Sequence, residues 1–244
     1  CAPCFTRPDF LKRYDGIIRD SLQAILNVSL EERTWKIATL PVALGGLGVR
    51  TASELALPGF ISSAFGSDSV VSTLLPESTL KKDDSFIAAA VSEWKMVLNL
   101  PQDGQEPLDK SVQEQWDSPI CKKKFQQLME DGSAEEKAIL LSTSSENASS
   151  WVHSVPVTSL GLKLDNPSFK IVCGLRIGAK ICRPYKCRCG VKVNEYGRHG
   201  LSCSKAAGRH RRHSEANSLI KKALASIEIT STLEPVSYTH LRAH

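Results

Sequence analysis

The tightest constraint on folding is a run of cysteine and histidine near the C-terminal end, KCRCGVKVNEYGRHGLSC. Here Cys187, Cys189, His199 and Cys203 follow the spacing C-x-C-x9-H-x3-C. Two thiols one residue apart sit on one tight turn, and a His/Cys pair four apart sits on another. Zinc takes four such ligands tetrahedrally, so the spacing predicts a metal site that ties the two turns together. Gly190, Gly197 and Gly200 fall where the chain must bend around the ion. Four protein ligands leave no position open for water, which makes this Zn2+ structural rather than catalytic. Two alternatives stay open. The thiols are free or buried beside a chance histidine, or one of Cys182, His210 and His213 replaces a member of the set. Cys182 lies two residues before Pro184, and the two histidines sit in GRHRRH, where phosphate contact or packing explains them better than ligation.

Charge singles out the same part of the chain. Residues 170–222 carry 14 Lys/Arg against Glu195 and Glu215 alone, whereas residues 1–169 carry 16 against 22 acidic residues. A formal charge of +5 therefore hides an acidic body joined to a strongly basic segment. Such a segment implies a polyanionic partner, and RNA or DNA is the usual one. Arg198, Lys205, Arg209, Arg211, Arg212, Lys221 and Lys222 are the candidate phosphate contacts, because backbone phosphates are read by Lys and Arg without regard to sequence. A helix is expected to follow GRHRRH, with Leu219, Ile220, Ala223, Leu224 and Ile227 on its buried side.

The rest of the chain is predicted to be mainly α-helical. Phe10, Tyr14, Ile17, Ile18, Leu22 and Ile25 recur at helical spacing after a start at Pro8-Asp9, with Asp9 as the cap, and the helix ends near Asn27. Thr51-Ala-Ser-Glu54 reads as a capping box opening a helix that Pro58 must kink or break. Asp83-Asp84, Ser118-Pro119, Ser133-Ala-Glu-Glu136 and Asn166-Pro167 supply four further helix starts, and Gly178 ends the last. Nothing alternates at period two, and no apolar run approaches the ~20 residues of a membrane span. LPVALGGLGVR (40–50) gives a tight turn; it lacks the Lys-Ser/Thr of a phosphate-binding loop and has no strand before it.

No self-sufficient active site emerges, so no catalytic residue is assigned. Paired metal-binding carboxylates are missing, since no Asp follows Asp165 and Asp83-Asp84 reads as a cap. Cys121 precedes three lysines that would lower its pKa, yet no histidine base adjoins it. Two further classes compete with nucleic-acid binding. One is a non-catalytic zinc-containing module that binds an acidic protein. The other is a zinc hydrolase with Glu195 or Glu215 as base, which needs an open coordination position.

These residues carry a family resemblance. CAPCFTRPDFLKRYDGIIRDSLQAILN and WKIATLPVALGGLGVRTASELALPGFISSA resemble the stretch just after the palm of reverse transcriptases from non-long-terminal-repeat retrotransposons. LGLKLDNPSFKIVCGLRIGAKIC, followed by CRCG, GRHGLSC and GRHRRH, is similar to the cysteine-histidine region that such polyproteins carry before a restriction-like endonuclease. The resemblance covers roughly residues 1–235. It implies a thumb-like helical region over 1–66, a helical linker over 67–158, a basic zinc module over 159–227 and a truncated tail over 228–244. It also implies that Cys187, Cys189, His199 and Cys203 are the zinc set. The polymerase and endonuclease carboxylates would then lie outside the chain, which is read as a non-enzymatic fragment of an RNA-directed DNA polymerase. The final VSYTHLRAH departs from the pattern and reads as adaptor-derived. Unpaired clustered thiols and the absence of a signal peptide set the expectation of an intracellular protein, nuclear or cytoplasmic. Oligomeric state is left open at this level.

Overall fold

The computed structural model describes residues 3–74, 85–160, 162–205 and 208–232, with backbone alone at 69, 160 and 208–212. The expected cap at Asp83-Asp84 and the tail from 236 lie outside the described residues. Those described are mainly α-helical, as expected, with a single two-stranded ribbon. None of the described helices is long and apolar enough to cross a membrane. The chain divides into two compact units, Cys1–Ile181 and Cys182–His244.

The first unit is built from α1 (Pro8–Leu26), α2 (Glu32–Ala38), α3 (Ala52–Leu74), α4 (Ser85–Leu98), α5 (Gln113–Asp131), α6 (Ala134–Thr143), α7 (Ser150–His153) and α8 (Asn166–Arg176). Pro8 occupies the first turn of α1, where its missing N–H costs nothing, and Asn27 closes the helix in the left-handed conformation at φ 54°. The cap residue is Arg7, so Asp9 sits in the first turn and faces the helix dipole instead of capping. At α6 both halves of the capping box form: Glu136 N–H donates to Ser133 Oγ and Ser133 N–H donates to Glu136 Oε2. At α3 only one half forms. Glu54 N–H reaches Thr51 Oγ1, but the Glu54 carboxylate turns away to Lys124, and Asp15 accepts from the N–H groups of Ala52 and Ser53.

Two proline expectations are corrected. Pro58 lies inside α3, which runs on to Leu74, and Pro119 lies inside α5, which starts six residues earlier at Gln113. Packing outweighs the lost backbone bond in both. Leu57, Phe60 and Ile61 flank the first proline, and Trp116 and Cys121 flank the second. Trp94 and Trp116 meet edge to face at 4.9 Å, and the Trp94 indole N–H donates to the Trp116 carbonyl at 2.7 Å. Leu57, Phe60, Ile61, Trp94 and Trp116 form one apolar cluster with Ala90; a second gathers Leu26, Leu30, Trp35, Ile37, Leu40, Leu128, Leu140 and Ile177.

The glycine-rich turn packs against this second cluster. Gly45 and Gly48 have φ of 86° and 72°, and a Cβ on Gly46 would lie 2.0 Å from the Leu40 carbonyl oxygen. The N–H groups of Gly45, Gly46 and Gly48 donate to Val42, Pro41 and Leu40 carbonyls, so the turn offers none of them to a phosphate. It offers carbonyls instead. Arg176, 5% exposed, donates from Nε to Gly46 and from Nη2 to Val42, and also reaches the Ala148 carbonyl and Ser149 Oγ. Burial pulls the Arg176 pKa below its ordinary value. Four acceptors hold the guanidinium in place without a carboxylate.

The second unit contains β1 (Tyr185–Lys186) and β2 (Lys192–Val193), paired antiparallel, then α9 (His199–Ser202) and α10 (Gly208–Ala225). Only Val193 and Cys203 are buried there among the described residues. The expected buried side of α10 is not buried. Leu219 is 67% exposed, Ile220 58% and Ile227 63%.

Candidate metal centre

The site starts from the β1–β2 ribbon. Cys187 directly follows the first strand, and its N–H donates to the Val191 carbonyl while Gly190 N–H returns to the Cys187 carbonyl. This closes a tight turn in which Gly190 takes φ 95°, a conformation glycine adopts without steric cost. Cys187 and Cys189 are thereby presented from one loop. A second turn, with Gly197 at φ 65°, leads into α9, whose first residue is His199; Cys203 N–H donates to the His199 carbonyl at 2.9 Å. One helical turn therefore separates His199 and Cys203. Gly200, expected at a bend, sits inside α9 with nothing within 4 Å of where a Cβ would stand, so no steric demand fixes it as glycine.

The four expected ligands converge. One donor atom from each of Cys187, Cys189, His199 and Cys203 lies within 4.8 Å of all the others, and this group can hold a metal ion. Cys187 Sγ is 3.7 Å from Cys203 Sγ, and Cys189 Sγ is 3.1 Å from His199 Nε2. A tetrahedral centre with metal–sulfur bonds of about 2.3 Å needs sulfur–sulfur edges of about 3.8 Å, so the observed edge fits one. The electrostatics of the loop favour ligation as well. The Cys189 backbone N–H, followed by the Cys189 thiol, lowers the Cys187 pKa to about 6, and the thiolate is the form that binds metal. Burial shifts the Cys203 thiol upward.

Two of the competing ligands, Cys182 and His213, fall elsewhere. Cys182 Sγ lies 3.4 Å from the Asn194 carbonyl and 3.5 Å from that of Glu195, and its N–H donates to Glu195, so it braces the ribbon. His213 Nε2 is 3.2 Å from Asn217 Nδ2 on the same helix. The His210 side chain lies outside the described residues, as do those of Arg209, Arg211 and Arg212, although their backbone is helical. Of the other candidate phosphate contacts, Lys205, Lys221 and Lys222 are exposed, and Arg198 stacks over the Tyr196 ring at 4.9 Å. That stack adjoins His199, and nothing in the sequence pattern signals it.

The first unit holds no comparable centre among its described residues. Its polar density lies in a half-buried network in which Arg50 forks onto Asp117 at 2.5 and 2.7 Å, and Glu54 accepts from Lys124, which also meets Thr39. Cys121 reaches Asp117 at 3.6 Å, and burial, then the Asp117 carboxylate, push its thiol up to about 11. That is the opposite of the shift three neighbouring lysines would give, and it makes Cys121 a poor nucleophile. Comparison with protein-family models, curated proteins and solved structures finds no match to this chain.

Proposed function

We propose that the second unit is a zinc-stapled module that binds nucleic acid, within a region that follows the palm of a non-long-terminal-repeat retrotransposon reverse transcriptase. The observation that carries the reading is the convergence of Cys187, Cys189, His199 and Cys203 in the most basic segment of the chain. Three thiols and an imidazole are a donor set zinc prefers, and together they leave it no open position. Bound there, zinc supplies cross-linking and no chemistry. The turns on either side of α9 then carry Arg198 and Lys205, and α10 carries Arg209, Arg211, Arg212, Lys221 and Lys222, toward phosphates of RNA or DNA. On this reading the chain positions template or target and is not itself an enzyme; its thiols place it in a reducing compartment, nuclear or cytoplasmic.

Two measurements test the proposal. The purified chain should carry one zinc, and Cys203→Ser should lose it and disorder the region after Lys180; a full zinc equivalent in that variant removes the ligand assignment. If all seven cations meet phosphates, log K for a DNA duplex should fall with log salt at a slope near about −6. A slope near zero sinks the electrostatic account. A second reading, an interaction module for an acidic protein, is favoured by the exposed Leu219 and Ile220 on α10 and by Ile227 just after it. Retained zinc without nucleic-acid binding would select it.

A further inference from the structure

Helix α1 has an apolar arc about twice as wide as the surface it buries. Leu11 and Leu26 are buried, and Ile18 and Leu22 pack on the apolar cluster. Beside them Phe10 is 64% exposed, Tyr14 50%, Ile17 63% and Ile25 57%. At 3.6 residues per turn Phe10, Tyr14, Ile17 and Ser21 form a narrow stripe, spaced four, three and four, which is the seam of a coiled coil. The flank of that stripe away from the core carries Asp9, Arg13 and Asp20, with only the small Gly16 and Ala24 beside them.

We propose that this stripe is a self-association surface, on which α1 of a second copy of this chain pairs antiparallel. The argument is complementarity with itself. When Tyr14 faces Ile17 of the second copy, Phe10 faces the small Ser21, so each layer sets a large side chain against a smaller one. In the same register Arg13 comes beside Asp20 of the second copy, and Asp20 beside its Arg13. The two charges stand one heptad apart on the same flank, and only an antiparallel partner turns that spacing into two attractive pairs. Alternating acid and base do not suit an anionic membrane or a polyphosphate backbone. The inference is independent of the nucleic-acid reading.

Sedimentation velocity of the full 244-residue chain, with zinc and a thiol reductant, tests it. The interface is small, so dimers should appear with a dissociation constant of about tens of micromolar. Ile17→Lys should abolish them, and Arg13→Asp should weaken them at least about tenfold. Arg13→Asp combined with Asp20→Arg should restore wild-type affinity within a factor of about three. All three positions are exposed, so unchanged circular dichroism and melting midpoint should accompany every variant. A chain that stays monomeric to about 200 µM overturns the proposal. So does a dimer indifferent to Ile17→Lys, or a charge swap that fails to recover pairing.

Discussion

Alanine in place of Gly46 adds one methyl group, and the structure sets its cost. The new Cβ would lie 2.0 Å from the Leu40 carbonyl oxygen, 2.6 Å from its carbon and 2.7 Å from the Ile37 oxygen. All three are backbone atoms of a buried segment, so no side chain can swing aside. The Leu40 oxygen must retreat by about 1 Å or more, which breaks the Gly48 N–H bond it accepts, and the displaced Gly46 carbonyl loses Arg176 Nε. One neutral backbone bond is worth about 1 kcal/mol and a charge-assisted one about 1.5–3 kcal/mol, giving a loss of about 2.5–4 kcal/mol. Gly16→Ala is the matched control. Gly16 lies inside α1 with nothing within 4 Å of its Cβ position, so the same methyl group should stabilise by about 0.5–1 kcal/mol. Urea unfolding followed by fluorescence of the four tryptophans reads both changes. If Gly46→Ala falls within about 1 kcal/mol of the parent, the turn is not held by backbone contact and the glycine needs another explanation.

The capping box of α6 should yield about 1 kcal/mol on Ser133→Ala in the same unfolding assay, since the Ser133 hydroxyl accepts from Glu136 N–H; no change would show the helix start to be held by other contacts. Glu106 has its pKa lowered from 4.5 by hydrogen bonds from Lys110 and then Lys95. A depressed folded value means stability fully present above the unfolded pKa and lost as pH falls through the folded one. Glu106→Gln should therefore be less stable at neutral pH, with the gap closing below about pH 4.5; a gap constant with pH contradicts the assignment. Thiol titration of the zinc-loaded chain at pH 8 should find exposed Cys4 fast and buried Cys121 and Cys173, both pushed up to about 11, slow. Adding a chelator should release three more fast thiols, those of Cys187, Cys189 and Cys203, and their being fast beforehand would place the metal elsewhere.

The features legible in the sequence are those whose physics is local. Pro8, Ser133 and Asn166-Pro167 each mark a helix start within a few residues of where one forms, and the metal set lies within 17 consecutive residues, close enough for spacing alone to suggest a common centre. What escapes is decided by partners far along the chain. Pro119 reads as a start because proline fits a first turn, yet α5 is extended by Trp116, whose neighbours come from α3 and α4. Asp117 and Arg50, 67 residues apart, carry no mark of each other. The α10 pattern fails differently: a periodic apolar face shows that a helix can be amphipathic, but not that anything covers it.

The reach of Arg176 bears on how the protein is made. Its acceptors at Val42 and Gly46 leave the ribosome some 130 residues before the guanidinium does. At 5–20 residues per second, about 7–26 s pass between them. For that interval the Gly46 carbonyl has no donor but water and the Val42 carbonyl lacks its guanidinium, so the segment between α2 and α3 stays partly hydrated and cannot join a dry core. The nascent chain can close its Trp94–Trp116 cluster while the other still waits, and the last turn of α8 sets when the first unit becomes resistant to proteases.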